Sequence, residues 1–318
     1  MIERAVTALE FQRSNEAHWT ELEKAVQLPA RQLDAQRFLM LYRTCREHLA
    51  LARARDFPAP LIERLARVTA RAHRMVYRQI GFARILSALL RAFPSRVRAD
   101  RWYVALSALL LLIPAVALGV AVYRRPDLVL MLVDDRTAAQ LESIYDPSNA
   151  AIGQLRDAGV NSMFGRFVLH NIGIAFGCYL TGVLFGVGSA LCLALYGGFG
   201  GAVAGYIASC GFAGTYFPLI AAHSAFELTG VVLCGAAGLK VGQAVLSPGR
   251  MRRAAALERA ARETSVIVFG SAVMLVIAAA IEAFFSSAAW ITPTEKLIGA
   301  SACWGLVAVF FMRRPYAE

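Results

Sequence analysis

Between Arg166 and Glu227 the chain runs sixty residues without an Asp, Glu, Lys or Arg. One membrane crossing needs only ~20 apolar residues, so a stretch this long excludes a soluble core and demands several crossings. The stretch ends in His223 and Glu227. Four residues apart, these two share one face of a helix. They stand where ionisable side chains are costly, and therefore chemically informative.

Composition agrees, and it divides the chain. Of 318 residues, 58% are hydrophobic and 17% charged, against roughly 25% charged in a soluble domain. Residues 1–101 hold 19 Arg and Lys against 10 Asp and Glu, which is most of the net charge of +11. This excess fits positive-inside topology and attraction to anionic membrane lipid. No recognition motif or aromatic interleaving supports a nucleic-acid surface, so no nucleic-acid partner is expected. The six cysteines form no CxxC pair, and Cys178, Cys192, Cys210, Cys234 and Cys303 fall in apolar spans. They read as small packing residues rather than disulfides or zinc ligands. The start of the chain lacks a basic stub followed by an apolar stretch, so the first span is expected to serve as the insertion signal.

Apolar spacings of three and four predict three amphipathic helices over residues 2–93, broken at Leu28-Pro29 and at Phe57-Pro58-Ala59-Pro60. Their expected inward residues are Val6, Leu9, Phe11, Trp19, Leu22 and Val26; Leu33, Phe38, Leu41, Tyr42, Leu49 and Leu51; and Leu61, Leu65, Val68, Ala72, Val76, Ile80 and Ile85. The expected architecture is all-α: a cytoplasmic helical domain over 1–98 and a six-span transmembrane domain over 99–318. The first span is placed at Trp102–Tyr123, with three more inside 166–246 separated at Tyr196-Gly197-Gly198 and at Thr215-Tyr216-Phe217-Pro218. A fifth covers 264–285 and a sixth 296–312. Residues 124–165 form a polar excursion of net charge −2, and 247–263 a basic loop. The Arg and Lys bias puts the N-terminal domain, the basic loop and Arg313-Arg314 in the cytoplasm, with the excursion outside.

This topology gathers the scattered ionisable groups. His223 and Glu227 fall in the outer half of the fourth span, His170 and Asn171 open the second, and Glu282 closes the fifth. Lys240 is expected to extend its stem to cytoplasmic headgroups. The outer cluster reads first as a hydrogen-bonded lock between helices. One alternative is a cavity for a proton, ion or lipid headgroup in a small transporter or channel. Another is a metal site of His170, His223 and Glu227 with Glu282 as a base, serving intramembrane hydrolysis. There is no HExxH motif, and Ser224 points about 100° away from His223 on a helix. No catalytic residue, metal or cofactor is therefore assigned. Glycines four apart (Gly182 and Gly186; Gly197, Gly201 and Gly205; Gly238 and Gly242) allow close helix contact, either within the chain or across a homodimer face.

The segments Ala222-His223-Ser224-Ala225-Phe226-Glu227-Leu228-Thr229 and Gly235-Ala236-Ala237-Gly238-Leu239 resemble the core of the stage II sporulation protein M family (DUF95). So do Tyr145-Asp146-Pro147, Asn161-Ser162-Met163-Phe164, Leu184-Phe185-Gly186-Val187-Gly188-Ser189 and Ile281-Glu282-Ala283-Phe284. In the N-terminal domain, Trp19-x-x-Leu22-Glu23, Leu41-Tyr42-Arg43 and Arg71-Ala72-His73-x-x-Val76-Tyr77 are also similar. The family pattern usually has His-Gly at His223-Ser224 and Asn-Asn at His170-Asn171, so it includes His223, Glu227 and Glu282 but not His170. The resemblance implies a bacterial cytoplasmic-membrane protein of the cell envelope. It implies a scaffold for peptidoglycan hydrolases, or a part of systems containing RDD-family membrane proteins and MoxR-type AAA+ ATPases.

Overall fold

The computed structural model describes residues 7–27, 34–79, 82–148, 160–288 and 290–312. Arg313-Arg314, named above, lie outside them, as do the side chains of Asn161 and Ser162. The described residues are helical, with no strand among them. Contacts divide the chain into Met1–Ala88 and Leu89–Glu318.

In the first unit, α1 (Ala8–Ala25) opens with a capping box. The Glu10 N–H donates to Thr7 Oγ1, and the Thr7 N–H donates to the Glu10 carboxylate. The α2 helix (Ala35–Ala54) starts at Asp34, whose carboxylate accepts from the Gln36 and Arg37 N–H groups. The α3 helix (Ala59–Gln79) begins directly after Pro58. Their facing stripes bury Phe11, Trp19, Leu22, Leu41, Cys45, Leu61, Leu65, Val68 and Ala72 in one core. Leu9 and Leu51 are exposed instead, because they stand off these stripes. Val6, Leu33, Ile80 and the Leu28-Pro29 break lie outside the described residues, as do the side chains of Val76 and Ile85. Helix is described over Ala59–Gln79 and, as α4, over Phe82–Ala99, and residues 80–81 between them lie outside the described residues.

Polar contacts tie this core together. Trp19 Nε1–H donates to His48 Nδ1 at 3.0 Å. Arg64 on α3 bridges Glu16 at 2.7 Å and Glu23 at 2.9 Å on α1. The hydrogen bond from Arg64 holds the Glu23 carboxyl below its ordinary 4.5. Burial holds His48 below its ordinary 6.5, consistent with Nδ1 being needed as an acceptor.

Among the described residues the second unit holds six helices long and apolar enough to cross a membrane. In chain order come α5 (Arg101–Arg124), a 3-10 turn (Pro126–Met131) and α6 (Asp135–Tyr145), then α7 (Val160–Leu180), α8 (Val187–Ser209) and α9 (Ala213–Leu246). The α10 helix (Arg253–Ala280) continues as a π-helical segment, Ile281–Ser286, and α11 (Pro293–Met312) closes the chain. The α5 helix turns Leu109, Leu112, Ile113 and Val116 outward, as suits a lipid-facing helix. The α9 helix is the central element, packed against α5, α7, α8, α10 and α11.

Three boundaries differ from those the sequence pattern predicts, and one of them, Thr215-Tyr216-Phe217-Pro218, lies within the first turns of α9 rather than at a break. Tyr196-Gly197-Gly198 lies in the middle of α8 rather than at a break. The chain turns instead at Gly186 (φ 81°) and Gly211 (φ 87°), where the left-handed backbone favours glycine. The Gly197-Gly198 pair serves contact: a Cβ at Gly197, Gly201 or Gly205 would collide with the backbone of Leu111, Ala115 or Gly119 on α5. A Cβ at Gly182 would collide with the Gly238 backbone and one at Gly242 with the Gly186 backbone, whereas one at Gly186 would meet Leu239 and Gly242 at ordinary contact distance. The expected basic loop at 247–263 is helical from Arg253 onward. Beyond Gly249 the run of Ala, Arg, Leu and Glu contains only good helix formers.

Two predictions follow from this packing. Both Glu23 and His48 take up protons more readily unfolded than folded, so stability of the first unit rises with pH. Hydrogen-exchange protection factors at α1–α3 in the full chain, corrected for the intrinsic pH dependence of amide exchange, should fall first below pH 6.5, as unfolded His48 charges, and again as pH falls below 4.5 through the depressed Glu23 value. His48→Gln should remove the first step. In the second unit, Gly201→Ala should lower the thermal midpoint in detergent by the equivalent of ~1–3 kcal/mol. Gly200→Ala, whose added Cβ meets open space, should leave the midpoint unchanged or raise it.

Candidate functional site

His223 lies on α9 after Pro218, a helix interruption that membrane neighbours tolerate. It is buried, with 6% exposure. The helical spacing brings His223 Nε2 to 3.9 Å from Glu227 Oε2. The other carboxylate oxygen, Glu227 Oε1, accepts from the Tyr196 hydroxyl on α8 at 2.7 Å. Glu282 approaches from the π-helical segment after α10. One ligand-capable atom from each of His223, Glu227 and Glu282 lies within 4.8 Å of the others. Ser286, four residues after Glu282, places its Oγ 3.1 Å from His223 Nδ1. Three helices thus converge on an imidazole and two carboxylates.

The π segment contributes to that convergence. Its extra residue per turn rotates the end of α10, and such bulges recur where a helix must present a side chain out of register. Both Glu282 and Ser286 belong to it. The α9 backbone beside the cluster is well satisfied: Ser224 Oγ donates to the Ala221 carbonyl at 3.1 Å, and Thr229 Oγ1 to the Ala225 carbonyl at 2.7 Å. Trp304 Nε1–H on α11 also donates to the Ala221 carbonyl, at 3.2 Å.

The excursion is docked at the same end. The Tyr206 hydroxyl on α8 donates to Glu142 on α6. The Tyr145 ring meets the Tyr216 ring edge-on at 4.9 Å. Burial, and next the Glu282 charge, push the Tyr145 phenol upward. Asp146 ends α6 by accepting from the Ser148 N–H at 2.8 Å, a turn that leads into Pro147. Residues 149–159 of the excursion lie outside the described residues.

The structure brings together three of the residues singled out from the sequence. His223, Glu227 and Glu282 meet, whereas His170 is exposed on α7 and stands outside the 4.8 Å set. Asn171 is buried, and its Nδ2 has no hydrogen-bond partner among the described residues. Sequence reasoning missed Tyr196, which sat in an expected break, and the Tyr145–Tyr216 contact. Ser286 was findable by its spacing of four from Glu282.

A second polar centre lies at the opposite end of the spans, and it corrects the reading of Lys240. Rather than extending to headgroups, Lys240 Nζ donates to Asp100 at 2.8 Å and pairs with Glu263 at 3.1 Å. Glu263 also meets Arg96 at 3.0 Å and Arg259 at 2.9 Å. The signal was weak: Asp100 and Glu263 sit among many arginines, and only the fold selects which of those charges meet Lys240.

The family model described as Stage II sporulation protein M matches residues 107–287, more than half of the chain and the part that carries the cluster. A separate model, described as a domain of unknown function (DUF8413), matches residues 9–78. No curated protein and no solved structure matches the chain.

The Lys240 network supplies a quantitative expectation. Removing Lys240 leaves the mostly buried Asp100 with Arg96 alone, at 3.9 Å, and loss of a buried partner costs about 3 kcal/mol. Lys240→Met should therefore destabilise strongly. The Asp100→Leu/Lys240→Met double variant should recover part of that loss, because Glu263 keeps Arg96 and Arg259. Denaturant midpoints for the four-member cycle should show a coupling above ~1 kcal/mol; simple additivity would refute the pairing.

Proposed function

The chain belongs to the stage II sporulation protein M family of membrane proteins, and on that premise we propose that it is a non-enzymatic organiser of a cell-envelope complex of the peptidoglycan-remodelling type. Its place is the cytoplasmic membrane of a bacterium, with both termini in the cytoplasm. Arginines supply the orientation. Arg96, Arg98, Arg101, Arg250, Arg252 and Arg253 lie near the Lys240 end, while Asp127, Asp134, Asp135, Glu142 and Asp146 lie at the excursion end.

The docked excursion is the observation that carries the organiser reading. Tyr206 with Glu142 and Tyr145 with Tyr216 fasten α6 to the spans, so the acidic groups around Asp134 and Asp135 are presented from a fixed base. Such a surface suits docking of an envelope hydrolase outside. The first unit offers a separate surface to a cytoplasmic component, such as a MoxR-type AAA+ ATPase, and the spans to an RDD-family membrane protein or a second copy. In this reading His223, Glu227 and Glu282 lock α8, α9 and α10 beneath the excursion.

Affinity purification from native membranes after chemical crosslinking tests the proposal. An envelope hydrolase or membrane component should copurify, and Asp134→Lys/Asp135→Lys should reduce its yield at least tenfold without lowering the chain's own level. Recovery of the chain alone, or hydrolase activity in the purified protein, would overturn it.

A further inference from the structure

We infer that His223, Glu227 and Glu282 form the binding site for one divalent first-row transition-metal ion of the zinc or manganese type, held between the central helix and the π-helical end of α10. Three independent features of the cluster converge on this assignment.

The first is separation. Ligand atoms that share a first-row metal at ~2.0–2.2 Å stand at most about 4.4 Å apart. His223 Nε2 and Glu227 Oε2 are already 3.9 Å apart, and the full set closes within 4.8 Å. A small side-chain adjustment completes the geometry.

The second is orientation. His223 Nδ1 faces Ser286 Oγ at 3.1 Å. With the ring proton donated there, Nε2 keeps its lone pair toward the two carboxylates, as a metal-bound imidazole requires. Tyr196 plays the matching part for Glu227: its hydroxyl occupies Oε1 and leaves Oε2 directed at the imidazole. Each of these two ligands thus has one atom fixed by a neighbour and one free toward the shared centre. Ser286 and Tyr196 are positioning residues in this site.

The third is charge. Among the described residues no Lys or Arg forms an ion pair with Glu227 or Glu282. Two neighbouring carboxylates inside a membrane bundle are neutralised either by protons or by a bound cation. A divalent ion is such a cation, and it also uses the lone pair on Nε2. The imidazole selects against magnesium and calcium, which prefer oxygen alone, and the lack of a thiolate in the set selects against copper(I).

The test uses the full chain, purified in detergent without a histidine tag, stripped with chelator and dialysed against Zn²⁺ or Mn²⁺. Elemental analysis should find about one ion per chain with one of these metals, together with a raised thermal midpoint, and no midpoint shift with Mg²⁺ at the same concentration. Glu227→Gln and Glu282→Gln should each weaken binding at least tenfold, whereas Glu263→Gln, at the opposite end, should retain it. X-ray absorption on the loaded wild-type protein needs no variant: nitrogen and oxygen ligands without sulfur are expected. Metal absent from the wild type, equal retention in the Glu227→Gln/Glu282→Gln variant, an equal response to Mg²⁺, or a sulfur ligand would each overturn the site. Because the measurement needs no partner, its result is independent of the organiser reading.

Discussion

Backbone-to-backbone approach between helices is the constraint from which the rest of the membrane unit follows. Gly197, Gly201 and Gly205 let α8 lie directly on α5, and Gly182 and Gly186 let the α7–α8 corner lie on Gly238 and Gly242 of α9. In a bilayer, lipid tails are as apolar as the helices, so close packing contributes what hydrophobic burial contributes in water. Tyr196 is the neighbour of Gly197. With α8 seated this closely, its hydroxyl reaches Glu227 on the central helix.

The same central helix carries both polar centres, and the two differ in kind. At one end Lys240 meets Asp100 and Glu263, with Arg96 and Arg259 alongside, so that carboxylates face fixed cations. At the other, His223, Glu227 and Glu282 bring together two acids and an imidazole, steered by Tyr196 and Ser286. The first centre is an ion-pair joint between α4, α9 and α10. The second leaves donor atoms aimed at a common point, beneath an excursion fastened by Tyr145 and Tyr206.

Several elements were legible from residues alone, each for a definite reason. The charge-free run gave the multi-span class, and six spans followed from hydropathy and length. His223 and Glu227 were legible as a pair because helical spacing is local. The turns were not: Tyr196-Gly197-Gly198 has the composition of a break, yet its glycines serve contact with α5, and the turns fall at Gly186 and Gly211. A glycine that bends the backbone and one that admits a neighbouring helix look the same in a single sequence. The same ambiguity hid the helical start of α10, where a run of arginines suggested a loop although each residue favours helix.

By itself, then, the sequence determined that this is a polytopic membrane protein with six stretches long and apolar enough to span, that a helical unit precedes them, and that one helix carries His223 with Glu227. These are consequences of local hydropathy and periodicity. Only the tertiary structure decided that Glu282 comes within 4.8 Å of the His223–Glu227 pair, that Tyr196 and Ser286 orient it, and that Lys240 is paired rather than extended to headgroups. Those outcomes depend on which helix faces meet. Glycine-mediated packing between segments far apart in the chain sets those faces, and no local pattern encodes it.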